Sequence, residues 1–317
     1  MSIKNKVYIL FQFIFSKPYY KTILKKKLIT FRERNKIPED AAIIYHPHAI
    51  GDAFNLSLFI REFKSKYNYG SVYLCTKEHI TGIKSFIRKL GVYDVISFDK
   101  KLYIPLRLGG VVHDHKNKLF VINHVDPHEI MRKGISFLEY FPMLLSLKLT
   151  RKQFDTNLKR NFLELNNEFT DGKIQKAILF PYPGTLELID ERYWDEIFLI
   201  LEENNIQTYT NIINENQKEI KGSKRLELKL DEIIRYADKN TIIIARRNGL
   251  NDVFALNNCK QLLIYDNSKK NELETYSIFD LYCRLNRNDS LSELCVEKFY
   301  DKKSLENIKL NLIKLIN

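Results

Sequence analysis

Ile43-Ile44-Tyr45-His46-Pro47-His48-Ala49-Ile50-Gly51-Asp52-Ala53-Phe54-Asn55-Leu56-Ser57-Leu58-Phe59-Ile60 opens on an apolar run and turns through polar residues around Gly51-Asp52. It continues with Phe54, Leu58 and Phe59 on one helical face. The pattern predicts a buried strand, a tight turn and a helix. A strand feeding a helix through a glycine turn puts that turn at the carboxyl edge of a parallel sheet, where open α/β folds place their ligands. His46, His48 and Asp52 are residue types that move protons near neutrality. The plainer reading makes Asp52 a cap of the helix it begins.

Working outward, the same alternation runs through the rest of the chain. Strand-like runs at 41–45, 71–75, 94–98, 111–113 and 120–123 are interleaved with helix-like segments at 54–67, 80–90 and 128–149. A polar segment, 150–176, reads as a junction. The rhythm then restarts, with strands at 177–180, 207–212, 241–245 and 261–265 and helices at 193–204, 230–236 and 251–257. The amphipathic segment 305–316 is expected to be a helix that returns to brace the first domain. A βαβ rhythm written twice predicts an α/β protein of two doubly wound, Rossmann-like domains with an interdomain cleft. The expected division is 1–40 as an N-terminal basic and apolar element, 41–165 as one domain and 166–317 as the other.

Composition fits this. A chain of 317 residues is long for one domain. A hydrophobic content of 44% with 18 Tyr and 20 Phe is ample for real cores and excludes wholesale disorder. The formal charge of +12 comes largely from scattered lysines, without a helix-turn-helix, zinc-finger or aromatic-basic signature, so nucleic acid is not an expected partner. Part of the excess gathers at Lys17, Lys21, Lys25, Lys26 and Lys27, behind the apolar run 7–15. That run is too short to span a bilayer, but it suits an element lying on an anionic membrane surface. The alternative is a first helix packed on the domain with a solvated basic face. Cys75, Cys259, Cys283 and Cys295 form no CxxC pair and read as reduced thiols of a cytoplasmic protein.

The chain resembles the two-domain GT-B glycosyltransferases, most closely the heptosyltransferase-like branch that builds bacterial surface polysaccharides. In that family the first domain opens with a strand, a Gly-Asp turn and an apolar helix ending in a basic, aromatic patch, as residues 43–67 do here. The second opens with a strand, a Pro-Gly-small turn and an aromatic-acidic helix start. Phe180-Pro181-Tyr182-Pro183-Gly184-Thr185 followed by Arg192-Tyr193-Trp194-Asp195 looks like this. A later strand and glycine turn corresponds to Ile243-Ile244-Ala245-Arg246-Arg247-Asn248-Gly249-Leu250-Asn251-Asp252. The family usually carries an acidic and a small hydroxyl residue before this glycine and a histidine soon after. Here Arg246-Arg247-Asn248 and Asp252 stand at those places. The resemblance implies that 41–165 binds an acceptor, a glycan or lipid-linked glycan, and that 166–317 binds a nucleotide-sugar donor. It also implies a cytoplasmic enzyme, peripheral on the inner face of the membrane, that uses the nucleotide-sugar as substrate and no further cofactor.

The chemistry can be argued from the residues. A departing nucleoside diphosphate needs about two negative charges stabilised. Arg246 and Arg247 stand at a strand's end before a probable helix, and arginine's planar fork suits phosphate. Asn248, Gly249 and Asp252 complete that turn, the alternative being a surface ion pair of an arginine with Asp252 or another acid. Gly184 allows close backbone approach to phosphate and Thr185 offers a hydroxyl. Asp52 is the expected general base, with His48 or His46 as the fallback. No Asp-x-Asp motif occurs anywhere in the sequence, so the expected transfer is inverting and metal-independent. A rival constellation is His113-Asp114-His115 with His124, Asp126 and His128, whose alternate histidines on a strand share a face. Other readings are a different glycan-modifying transferase such as a pyruvyltransferase, a metal-dependent hydrolase built on that cluster, and a non-catalytic subunit of a polysaccharide assembly complex.

Overall fold

The computed structural model describes residues 25–46, 49–77, 82–97, 112–122, 136–166, 172–182, 187–268, 273 and 277–317. The chain divides into two compact units. One comprises Met1–Ala49 with Phe59–Val125, and the other Ile50–Leu58 with Asp126–Asn317.

The amino-terminal half of the sequence supplies, in order, α1 (Lys25–Arg34), β1 (Ala42–Tyr45), α2 (Ile50–Ser57), α3 (Ile60–Tyr67), β2 (Val72–Thr76), α4 (Lys84–Lys89), β3 (Asp94–Ser97), β4 (Val112–Asp114) and β5 (Leu119–Val121). The first unit's sheet has the order β3-β2-β1-β5-β4. All its pairs are parallel except β4 with β5. Every residue of β1 is buried, which is why Ala42-Ile43-Ile44-Tyr45 reads as a continuous apolar run rather than an alternating one. Leu28 and Phe31 of α1 share a core with Ile43, Tyr45 and Tyr73. Phe63 of α3 meets Phe120 edge-on, with ring centroids 4.7 Å apart. Arg32 ties α1 to the sheet through the carbonyls of Ala41 (3.1 Å) and Asn117 (2.9 Å).

The second unit contains α2 together with α5 (Phe137–Leu144), α6 (Arg151–Asn166), β6 (Lys176–Phe180), α7 (Glu191–Glu203), β7 (Gln207–Asn211), β8 (Lys224–Leu226), α8 (Leu230–Tyr236), β9 (Thr241–Arg246), α9 (Leu250–Ala255), β10 (Lys260–Asp266), α10 (Phe279–Arg284), β11 (Leu291–Val296) and α11 (Lys302–Ile316). Its six strands lie in the order β11-β10-β9-β6-β7-β8 and all pair parallel. Tyr193, Trp194 and Ile197 of α7 and Ile308, Leu312 and Leu315 of α11 cover one face. On the other, Phe254 of α9 lies 5.8 Å from Phe180.

The doubly wound α/β expectation holds in both halves, and three differences stand out. The helix expected over 54–67 is two helices, broken at Leu58–Phe59. Ser57 Oγ turns back to the Ala53 carbonyl (2.7 Å), a bond that competes with the helical ladder. The Leu58 carbonyl is meanwhile taken by Asn157 Nδ2 (3.1 Å) and Asn161 Nδ2 (2.7 Å). The polar segment read as a junction begins with α6, whose Phe154, Leu158 and Phe162 recur every four residues and are buried. This helix belongs to the second compact unit, whose main stretch begins at Asp126. Arg284 of α10 fastens α5 and α6 to the second unit through Glu139 (3.0 Å) and Asp155 (2.7 Å). Finally, α11 braces the second sheet rather than the first domain. Among the described residues no helix is long and apolar enough to cross a membrane. The run 7–15 and the lysines up to Lys21 lie outside the described residues.

Candidate active site

Each sheet has one place where its winding reverses. In the second, β6 leads out to β7 and β8, and the chain then returns to lay β9 on the other side of β6. In the first, β2 and β3 lie on one side of β1 and β5 on the other. Ligands of open α/β sheets bind outside the carboxyl ends of strands at such a switch point. The residues nominated from sequence leave those strands: His46 to Asp52 follow β1, Gly184 and Thr185 follow β6, and Arg246 to Asp252 end and follow β9.

His46 is buried at the end of β1, and its backbone N–H donates to the Cys75 carbonyl (2.9 Å), extending the ladder by one residue. His48, Gly184 and Thr185 lie outside the described residues. Asp52 sits half-buried in the first turn of α2, where the helix dipole favours a carboxylate.

The two adjacent arginines separate. Strand alternation puts Arg246 on the face of Ile242 and Ile244, under α7, and Arg247 toward α9. Arg246 is fully buried, and its guanidinium donates to the carbonyls of Glu187 (3.3 Å) and Ile264 (3.0 Å). Arg247 is 5% exposed and donates through Nη2 to both Asp252 oxygens, at 3.1 and 2.9 Å. The alternative of an ion pair with Asp252 is thus present, but inside the protein rather than on its surface. Burial works against the Arg247 charge, and Asp252 together with Tyr265 and Glu293 outweighs it, holding the guanidinium above its ordinary range.

The turn between β9 and α9 is closed by its own side chains. Asn248 Oδ1 accepts from Leu250 N (2.9 Å), and Asn251 Oδ1 accepts from Asn248 N (2.8 Å). The backbone N–H groups of Asn248 and Leu250 are thus already engaged. Asn251 is itself fixed by Gln261, which also donates to Tyr282 Oη (2.7 Å).

The structure brings Asp252, Gly249 and the start of α2 together, which the sequence did not announce. A Cβ on Gly51 would stand 2.5 Å from Asp252 Oδ2 and 2.9 Å from Gly249 Cα. One on Gly249 would stand 2.7 Å from Gly51 N. Both glycines are there because the two backbones touch. Asn55, one turn beyond Gly51, donates to Asp252 Oδ1 (3.1 Å).

Of the rival cluster, His113 and His115 do share a face, each ring 5.3 Å from Phe120. His115 is exposed beside Tyr69, and Asp114 accepts from Asn117 N and Nδ2 across the β4–β5 turn. His124, Asp126 and His128 lie outside the described residues. Among the described residues no group of three or more His, Cys, Asp and Glu is placed to hold a metal ion. None of the four cysteines is joined in a disulfide. Burial pushes the Cys259 thiol up to about 12 and Cys75 higher still.

No protein-family model matches the chain, and no curated protein matches it by sequence. Solved structures do match. The chain is similar to the ADP-heptose LPS heptosyltransferase II of Escherichia coli, with a TM-score of 0.53 at 12% identity, over 87% of this chain and 98% of that one. It is similar to E. coli heptosyltransferase WaaC with ADP-2-deoxy-2-fluoro heptose, with a TM-score of 0.51 at 12% identity, over 86% and 98%. A glycosyl transferase family 9 protein from Veillonella parvula gives 0.52 at 8% identity, over 87% and 97%. The two doubly wound halves are those of the GT-B fold, and the chain's structural neighbours are heptosyltransferases and family 9 glycosyltransferases.

Proposed function

We propose that the protein is a glycosyltransferase that moves a sugar from a nucleotide-sugar donor to a bacterial surface-glycan acceptor, such as a capsule or O-antigen intermediate. The observation that carries this is positional. In a GT-B-like fold, the residues nominated from sequence leave the strands that flank the two switch points.

In this reading the acceptor hydroxyl attacks the anomeric carbon while Asp52 takes its proton. The bond from that carbon to the phosphate oxygen breaks, and the nucleoside diphosphate departs with inverted configuration at the sugar. His46 and His48 hold the acceptor or substitute as base. Gly184 and Thr185 contact the diphosphate. Arg246, held by two carbonyls, brings positive charge to the end of β9. Arg247, Asn248, Gly249 and Asp252 give the adjoining turn its shape. The first domain takes the acceptor and the second the donor. The absence of an Asp-x-Asp motif supports a route without a metal, and residues 1–27 hold the enzyme on the inner face of the membrane.

The test is thermal unfolding in the presence of ADP, GDP, UDP and CMP and their sugar conjugates. A nucleotide that binds only the folded protein, at a hundred times its Kd, stabilises it by about 2.7 kcal/mol. One nucleotide should shift the transition well beyond the others. If none does, the donor assignment fails.

A further inference from the structure

Helix α2 is held, in its second turn and just past its end, by polar groups that are themselves buried. In its second turn, Asn55 is 1% exposed and donates to Asp252, itself 2% exposed, whose carboxylate also accepts from Arg247. The backbones of Gly51 and Gly249 touch beside them. Just past its end, the Leu58 carbonyl accepts from Asn157 and Asn161, which are 2% and 0% exposed. The helix is only about 12 Å long, at 1.5 Å for each of its eight residues. Apolar contacts alone would let so short a cylinder turn about its axis. Directional bonds at Asn55 and at the Leu58 carbonyl do not, because a buried polar group that loses its partner is costly. Asp52 lies three residues before Asn55, in the turn whose Gly51 backbone rests against Gly249.

We propose that Asn55 and Asp252 are positioning residues for Asp52: through the Asn55–Asp252 hydrogen bond they set the rotation of α2, and with it the direction in which the Asp52 carboxylate points. This rests on the reading of Asp52 as the base. Apolar substitutions at Asn55 would keep the helix buried but release its rotation.

The test compares the full-length protein with Asp52→Asn, Asn55→Ala and the double variant. One readout is release of the nucleotide from its sugar conjugate, with water as acceptor, using the nucleotide-sugar that most stabilises the folded protein in the thermal screen. The other is hydrogen exchange of the α2 amides. Misplacing a reacting group by about 1 Å costs on the order of a hundredfold. Asn55→Ala should therefore lower kcat by about tenfold to a hundredfold, with the donor KM within about twofold. In the Asp52→Asn background the same change should add nothing, because its effect runs through Asp52. The α2 amides should exchange about tenfold faster in Asn55→Ala, and those of β9 and β10 should not change. Should Asn55→Ala fail to fold, Asn55→Ser, which keeps a short donor, is read the same way.

The inference is overturned if Asp52→Asn is inactive while folded Asn55→Ala turns over as the parent does. It is equally overturned if the two losses multiply, or if α2 exchange is unchanged. A fully active Asp52→Asn removes the base assignment itself, and is distinguishable because the loss is then missing from the parent residue.

Discussion

Replacing Asp252 by alanine should destabilise the second unit severely, and the structure says by how much. Asp252 accepts two bonds from Arg247 and one from Asn55, and all three side chains are 5% exposed or less. Removing one partner of a buried ion pair leaves the other charge in a poorly solvated site, at about 3–5 kcal/mol. The Asn55 bond adds about 1 kcal/mol at most, and not additively, because the three groups form one network. The chain's single tryptophan, Trp194, is buried in the core of the second sheet, so its fluorescence reports this unit. At a urea slope of about 2 kcal/mol/M, the midpoint should fall by roughly 1.5–2.5 M. Replacing both Arg247 and Asp252 by leucine removes both charges together. It should cost less than Asp252→Ala alone, since buried pairs are often matched by well-packed apolar residues. An Asp252→Ala midpoint within about 0.3 M of the parent, or a double variant weaker than the single, refutes the reasoning.

Two further outcomes follow from other parts of the molecule. Arg287 donates to the carbonyls of Ala255 (2.9 Å), Asn257 (2.8 Å) and Cys259 (3.1 Å), closing the carboxyl end of α9. Arg287→Ala should cost about 3 kcal/mol by the same fluorescence measurement, and Arg287→Lys, which lacks the fork, should recover less than half. Deleting residues 1–27 should release the protein from anionic vesicles in a sedimentation assay, as should raising salt, since each lysine near the surface contributes about 1 kcal/mol. Equal binding of the intact chain to neutral and anionic vesicles counts against a membrane role for this segment.

The parts of the fold legible in the sequence were those written as runs or periods. Ile43-Ile44-Tyr45 and Ile242-Ile243-Ile244 are strands covered on both faces, and nothing else explains such runs between turn residues. Strands with mixed composition did not show. β11 reads Leu-Ser-Glu-Leu-Cys-Val at the edge of its sheet, with Ser292 and Glu293 only partly covered. Its Glu293 is spent on Tyr265 Oη (2.5 Å) and Ile278 N (3.0 Å), partners a linear reading does not supply. The break at Leu58–Phe59 was hidden for a related reason. Phe54, Leu58 and Phe59 continue one apolar face across it, and what ends the helix is a pair of asparagines about a hundred residues away.

Arg246 and Arg247 show where the site reading met its limit. As neighbours in sequence they look like one cationic patch, yet a strand sends consecutive side chains to opposite faces. One arginine ends under α7 on backbone carbonyls and the other beside α9 on a carboxylate. The signal that could have separated them was present. Arg246 keeps the phase of Ile242 and Ile244, and Asp252 stands five residues past Arg247, within reach across a turn into a helix. Asn55, Asn157 and Asn161 carried no such signal. An asparagine on a helix otherwise reads as solvated surface, and only the fold reveals that each donates to a buried acceptor. Because the directional bonds at Asn55 and at the Leu58 carbonyl would fix Asp52 more firmly than packing does, Asn55 is the position at which to ask whether Asp52 has been aimed.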